Sequence, residues 1–207
     1  MSEARTTAPP VTVSAIANPA ALGLGGFALT TFLLSVHNAL GATSEPLLPF
    51  FGYAIFYGGL AQFLAGMWEF KTGNTFGATA FSTYGGFWMG LAAWVGLVLL
   101  GKVPEKDVTI SLAWILLAFA IFNTYMLIIS ARTQNTAVFL VFLTLEITEI
   151  LLFWGNFNGD AAGKGLVSIG GWVGILTALV AWYTSAAVVA NTGRPRPMLP
   201  VGSPLWP

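Results

Sequence analysis

The chain has 207 residues, 56% of them hydrophobic and 8% charged, with a mean hydropathy of +0.78, whereas soluble chains carry about 25% charged residues. That composition belongs to a membrane protein. Eight basic and eight acidic residues balance to zero, so a nucleic-acid surface has no electrostatic support, and without cysteine neither disulfides nor thiolate metal sites are available.

Residues 1–17, MSEARTTAPPVTVSAIA, are small and polar, with no long apolar core. They predict a flexible N-terminal tail rather than a cleaved signal peptide. A bilayer core about 30 Å thick needs about 20 mainly apolar helical residues, because backbone groups there must be hydrogen-bonded internally. Six stretches qualify, near 19–41, 47–70, 75–100, 108–131, 136–155 and 166–190.

The first span opens on Asn18-Pro-Ala-Ala-Leu-Gly-Leu24. Asn is a good N-cap and Pro suits the first helical turn. Capping alone accounts for the pair; the functional alternative is that free amides and the positive end of the macrodipole meet an anion. Thr30, His37 and Asn38 follow in the same helix, where a lone histidine either satisfies a neighbouring carbonyl or shuttles protons. Pro46 and Pro49 open the second span, which carries Gln62, and the turn Lys71-Thr-Gly-Asn74 ends it with an asparagine able to cap the third.

In the third span Gly86 and Gly90 stand four apart, as do Gly170 and Gly174 in the sixth. Such spacing permits close helix approach, either inside one subunit or between subunits. The charged run Gly101–Asp107 precedes the fourth span, with Asn123, Thr124 and Tyr125 inside it, and Arg132-Thr-Gln-Asn135 leads into the fifth. There VFLTLEITEILLFW puts Glu146 and Glu149 within one turn, where a carboxylate is costly unless paired or protonated. The two share a face; they form either a proton-accepting or substrate-gating site or a hydrogen-bonded bridge between helices. Asn156–Lys164 makes the last break.

Residues 192–207 hold five of the eleven prolines, which excludes regular helix and predicts a second mobile extension. One transmembrane domain, 18–191, therefore lies between two tails. Trp68, Trp94, Trp114, Trp154 and Trp172 fall toward span ends as interfacial anchors. An even number of spans puts both termini on one side, with Arg5, Lys71, Arg132, Arg194 and Arg196 against Lys102, Lys106 and Lys164 on the other. The positive-inside rule then favours cytoplasmic termini. No lysine or arginine lies mid-span, so carboxylate recognition has to use amides, hydroxyls and helix-end donors.

Four motifs, Asn18-Pro-Ala-Ala-Leu-Gly-Leu24, Leu33-Leu-Ser-Val-His-Asn38, Phe56-Tyr-Gly-Gly-Leu-Ala-Gln62 and Gly73-Asn-Thr-Phe-Gly-Ala-Thr-Ala-Phe-Ser-Thr-Tyr-Gly85, occur in order, with Leu199-Pro-Val-Gly202 in the tail. In these the chain resembles the acetate uptake transporter family, which includes bacterial succinate-acetate permeases and the fungal GPR1/FUN34/ATO proteins. The resemblance implies an all-α membrane protein: six transmembrane helices per subunit enclosing a substrate path, assembled as a homohexamer in the plasma membrane, or the inner membrane of a bacterium. It also implies uptake of acetate and other small carboxylates, succinate among them, by a channel or proton-coupled permease with no cofactor and no metal. By motif, the family's narrow hydrophobic constriction maps to Phe27, Tyr84 and Leu145.

A dry neck passes a solute with one methyl and one polar end while excluding hydrated ions. Asn18, Thr30, His37, Asn38, Gln62 and Glu149 are the candidates for binding substrate beside it, with the Tyr84 hydroxyl also on offer. Glu146, Glu149 and His37 are the candidates for coupling protons. Ala21 stands where the family signature has a second proline, which softens only the helix start. Ionised glutamates beside Leu145 would repel acetate, a conflict removed if at least one carries a proton and donates a hydrogen bond. Other classes are ammonia or ammonium transport or export, for which an acidic lining is less awkward, and a membrane sensor that transports nothing. An intramembrane enzyme built on His37 and the glutamates has too few ligands and no zinc spacing, and no nucleotide motif supports ATP-driven transport.

Overall fold

The computed structural model describes residues 16–41 and 47–206. Its elements are α1 (Ala20–Leu40), α2 (Leu47–Ile55), a π-helical segment (Phe56–Ala61), α3 (Gln62–Thr72), α4 (Thr75–Leu99), α5 (Glu105–Thr133), α6 (Thr136–Phe157) and α7 (Gly165–Asn191). The chain runs without a break from α2 through the π-helical segment into α3. The six resulting helices are long and apolar enough to cross a membrane, so the chain is a multi-pass membrane protein.

Three helix starts, those of α1, α4 and α6, have a local cause. The side-chain oxygens of Asn18, Asn74 and Asn135 accept from the amides of Ala20 (2.9 Å), Gly77 (3.1 Å) and Val138 (3.0 Å), which are among the donors a helix N-terminus leaves orphaned. Gly73 closes α3 at φ 79°, the left-handed conformation that makes the tight turn into α4 possible. Pro49 sits in the first turn of α2, and Pro46 lies outside the described residues.

Around the bundle α5 packs on α6, α6 on α7, α7 on α1, α1 on the second span, and that span on α4. The π-helical segment is gripped from two sides. A Cβ at Gly26 of α1 would stand 2.6 Å from the Tyr57 carbonyl oxygen, and one at Gly59 would stand 2.6 Å from Met89 Cγ of α4. The glycines of FYGGLA and of α1 let these backbones meet, and the wide turn absorbs one extra residue. Nothing in the periodicity of the sequence points to it.

Between α4 and α5 the backbones stay apart and aromatic rings fill the gap. Tyr84 packs edge-on with Phe122 (5.5 Å between ring centres), and Phe87 lies tilted against Phe119 (4.6 Å). Gly170 and Gly174 of α7 face inward, against Leu152 and against Ser35 and Thr148, whereas Gly86 and Gly90 of α4 face open space. Trp68, Trp114, Trp154 and Trp172 are exposed, but Trp94 packs partly buried against the core and is not an anchor of the same kind.

The C-terminal segment is tied down rather than mobile. Asn191 accepts from the amides of Met198 (2.7 Å) and Leu199 (3.0 Å), and the Tyr183 hydroxyl donates to Pro200 O (2.6 Å). The Val201 carbonyl accepts from the Ala137 amide (2.9 Å) at the start of α6, and the Leu205 amide donates to Ala131 O (2.9 Å) at the end of α5. Its prolines exclude helix, as the composition requires, but extended chain suits a strap laid over helix ends. Residues 1–15 of the N-terminal tail lie outside the described residues.

Candidate functional site

Within the bundle three cavities succeed one another. The first, about 190 Å³, opens among the N-terminal ends of α1, α4 and α6 and is lined there by Asn18, Asn74 and Asn135. Deeper in it are Gln62, 1% exposed with its side-chain oxygen unpartnered, and then Phe27, Tyr84 and Leu145. The second cavity, about 40 Å³, lies on the far side of the same three residues and carries Thr31, Ser35, Thr148 and Glu149 on its wall. The third, about 240 Å³, is bounded by His37, Asn38, Asn156 and Asp160 at the opposite ends of the helices.

Three helix N-termini converge on the first cavity, and among the described residues no lysine or arginine lines it. Each brings about half a positive charge and unpaired amides. The asparagines that cap these helices therefore present a neutral frame with a positive bias, suited to an anion that must later be released. Glu69, 2% exposed, helps to hold the frame: it accepts from Asn74 Nδ2 (2.9 Å) and the Thr72 hydroxyl (3.3 Å), which turns the Asn74 oxygen toward Gly77. Sequence reasoning passes over Glu69, although a lone carboxylate in the last turn of a span, five residues before an asparagine cap, is a usable signal.

Phe27, Tyr84 and Leu145 come from three helices, are each at most 6% exposed, and meet where the first and second cavities join. The Phe27 and Tyr84 rings pack edge-to-face at 5.7 Å, the geometry aromatic pairs favour. The Tyr84 hydroxyl is held at a branch point, 3.1 Å from Asn123 Oδ1 and 3.3 Å from Glu149 Oε1. Asn123 donates through Nδ2 to the Phe142 carbonyl (2.9 Å) and to Glu146 Oε2 (2.7 Å), so its carbonyl side faces Tyr84. The hydroxyl has one proton. Donated to Asn123, it leaves the contact with Glu149 to be made only by a protonated Glu149 donating to the phenol oxygen. Glu149 Oε2 is buried and has no partner.

The two glutamates do not share surroundings. Glu149, 4% exposed, faces the second cavity, but Glu146 is only half-buried, accepts from Thr124 (2.7 Å) and Asn123, and lines none of the three cavities. The two stay about 60° apart on α6, but their surroundings differ: Glu146 bridges α6 to α5 on the flank of the bundle. Thr30 likewise lines none of the three cavities. Its hydroxyl donates to Gly26 O (3.0 Å) and its side chain packs on Gly58, so Thr31, about 100° further round the helix, takes the cavity face. His37 and Asn38 stand in the third cavity, at the other end from Asn18 and Gln62, and His37 Nδ1 is buried without a partner. Among the described residues no group of three His, Cys, Asp or Glu side chains comes together to hold a metal ion.

The profile of the GPR1/FUN34/yaaH family matches residues 2–201. The succinate-acetate/proton symporter SatP of Escherichia coli K12 is 37% identical over 187 residues, covering 90% of this chain and 96% of the relative. Ammonia transport outward protein 2 of Saccharomyces cerevisiae is 40% identical over 188 residues, covering 88% of this chain and 64% of the relative, so the chain spans just under two thirds of that protein. The solved structure of the bacterial acetate channel SatP superposes with a TM-score of 0.82 at 36% identity, covering 91% of this chain and 100% of the other.

Proposed function

The chain belongs to the GPR1/FUN34/yaaH family, and from that premise we propose that it carries acetate and related small carboxylates, succinate among them, across the plasma membrane as a channel or proton-coupled permease, without catalysis. One observation carries the reading: a cavity with three helix N-termini and, among the described residues, no cation opens onto Phe27, Tyr84 and Leu145, with a small chamber bordered by Glu149 behind them.

Acetate gathers at the amides of the first cavity, where the helix ends favour its charge without trapping it as a lysine would. Asn18, Asn74 and Gln62 replace its water. At the constriction the methyl group slides between two rings and a leucine, whereas a hydrated inorganic ion has nothing there to exchange its water for. Beyond it Tyr84 and Glu149 receive the carboxyl end. A protonated Glu149 donates a hydrogen bond to the incoming anion or gives up its proton, which couples acetate and proton movement. Asn38 and His37 take over in the third cavity.

The Asn18 end faces the cytoplasm in this reading, supported by the surplus of basic residues at that end. Self-assembly as a homohexamer, each subunit with its own path, is supported by the open face at Gly86 and Gly90. Ammonia or ammonium movement is the second reading, favoured by the acidic Glu149 on the path and by the name of the Saccharomyces relative. Labelled acetate uptake by proteoliposomes, competed with unlabelled acetate, propionate or ammonium, separates the two: competition by acetate and propionate but not by ammonium is expected, and the reverse pattern overturns the carboxylate reading.

A further inference from the structure

The chamber behind Phe27, Tyr84 and Leu145 is closed on its other side as well. Leu34, Leu116 and Leu152 line both the second cavity and the third, so they stand between them as the first three residues stand between the first cavity and the second. Leu116 and Leu152, each 6% exposed, pack with Val167 into an apolar cluster separate from the main core that holds Phe27, Tyr84 and Leu145. The wall between is mostly apolar, with Phe87 and Trp88 in it, but it also carries Thr31, Ser35, Thr148 and Glu149, and the Thr31 hydroxyl and Glu149 Oε2 are buried there without partners.

The helical register repeats this layering. α1 and α6 both start at the first cavity, and read away from it they present Phe27, Thr31, Leu34, Asn38 and Leu145, Glu149, Leu152, Asn156, the same steps of four, three and four residues. Seven residues separate the first apolar position from the second on each helix, which is about 10.5 Å of rise. Two apolar rings therefore stand about two turns apart with hydrogen-bonding groups between them.

We propose that Leu34, Leu116 and Leu152 form a second constriction in series with the first, and that the chamber between the two selects substrate by length. This rests on the transport reading above and deepens it. A chamber of about 40 Å³ has room for about three water-sized probes, close to one acetate. Succinate, about twice as long, fills more than the chamber, so one of its ends stays within a constriction while the other lies between the two. Widening the second constriction then speeds succinate more than acetate.

The sequence has no cysteine, so one introduced thiol reports alone. The experiment places Ser35→Cys in the chamber of the full chain, in membranes, and applies a small charged methanethiosulfonate from either side. Protection from both sides is expected with the leucines intact. Leu152→Ala should remove protection only from the His37 side, and Leu145→Ala only from the Asn18 side; Leu34→Ala, at a partly buried position, replaces Leu152→Ala if that variant does not fold. Labelling of Ser35→Cys from the His37 side with the leucines intact overturns the second constriction, as does continued protection in both Leu152→Ala and Leu34→Ala. Loss of protection from both sides at once marks general loosening of the bundle and counts against it too. The succinate-to-acetate flux ratio, measured on the same variants in proteoliposomes, should rise severalfold in Leu152→Ala. If the unmodified protein carries neither carboxylate, the transport reading fails while the sidedness of labelling still decides whether the second constriction exists.

Discussion

Glu146 and Glu149 are three residues apart on α6 and about 60° apart around its axis, yet one is tied to Asn123 and Thr124 on the flank of the bundle and the other borders the central chamber beside Tyr84. Both carboxyls occupy a span where an isolated charge is costly. They are accommodated differently. Glu146 has both oxygens engaged by α5, which makes it a bridge between helices, whereas Glu149 keeps one oxygen free. An unpartnered buried oxygen is poor architecture and a good place for a proton or a solute.

The contrast is broken most severely at Asn123, which touches both sides of it. Asn123→Leu takes a donor from Glu146 and from the Phe142 carbonyl and an acceptor from Tyr84, leaving a partly buried carboxylate short of partners. A loss of about 3 kcal/mol is expected, read as a clear drop in thermal stability in detergent; stability equal to the unmodified protein would show that the bridge contributes nothing. Glu149→Gln comes next and acts on transport. The amide can still donate to Tyr84, so stability should change by less than about 1 kcal/mol. In the unmodified protein acetate uptake should fall as pH rises, because deprotonation of Glu149 removes its donor and adds a repelling charge; in Glu149→Gln the profile should be flat, and a retained pH dependence removes Glu149 from proton coupling.

Glu146→Gln should give the opposite pattern. Weaker hydrogen bonds to Thr124 cost about 1 kcal/mol, and the pH profile of uptake stays as before. If that profile flattens instead, the lateral carboxylate belongs to the proton route and the division between the two glutamates is wrong. Thr124→Val, which removes one exposed hydroxyl from Glu146, is the smallest change: stability lower by about 0.5–1 kcal/mol with unaltered flux.

The membrane spans are legible in the sequence because they depend on hydropathy and length, and the asparagine caps because their signature is local. The side-chain facings are harder to read. Thr30 and Thr31 are adjacent, and nothing in their neighbours says which one packs on Gly58 and which one meets the chamber. The π-helical turn at Phe56–Ala61 shifts the facing of α3, and only the glycine pair hints at it. An ideal helix leaves Glu146 within reach of Glu149; the partners that draw it aside, Asn123 and Thr124, lie on another span. The proline-rich tail reads as loose because composition reports what a segment cannot form, not what it can be bonded to. Leu34, Leu116 and Leu152 carry no mark among so many leucines until three helices bring them together.

The proposed carboxylate path between Phe27, Tyr84 and Leu145 is tested most directly by labelled acetate influx into proteoliposomes with the unmodified chain and with Leu145→Trp, in which a larger ring fills the constriction. Uptake well above protein-free liposomes, lost in Leu145→Trp while that variant remains folded and reconstitutes normally, is the predicted result. Undiminished uptake through the plugged variant, or no acetate uptake by the unmodified chain where ammonium does enter, would contradict it.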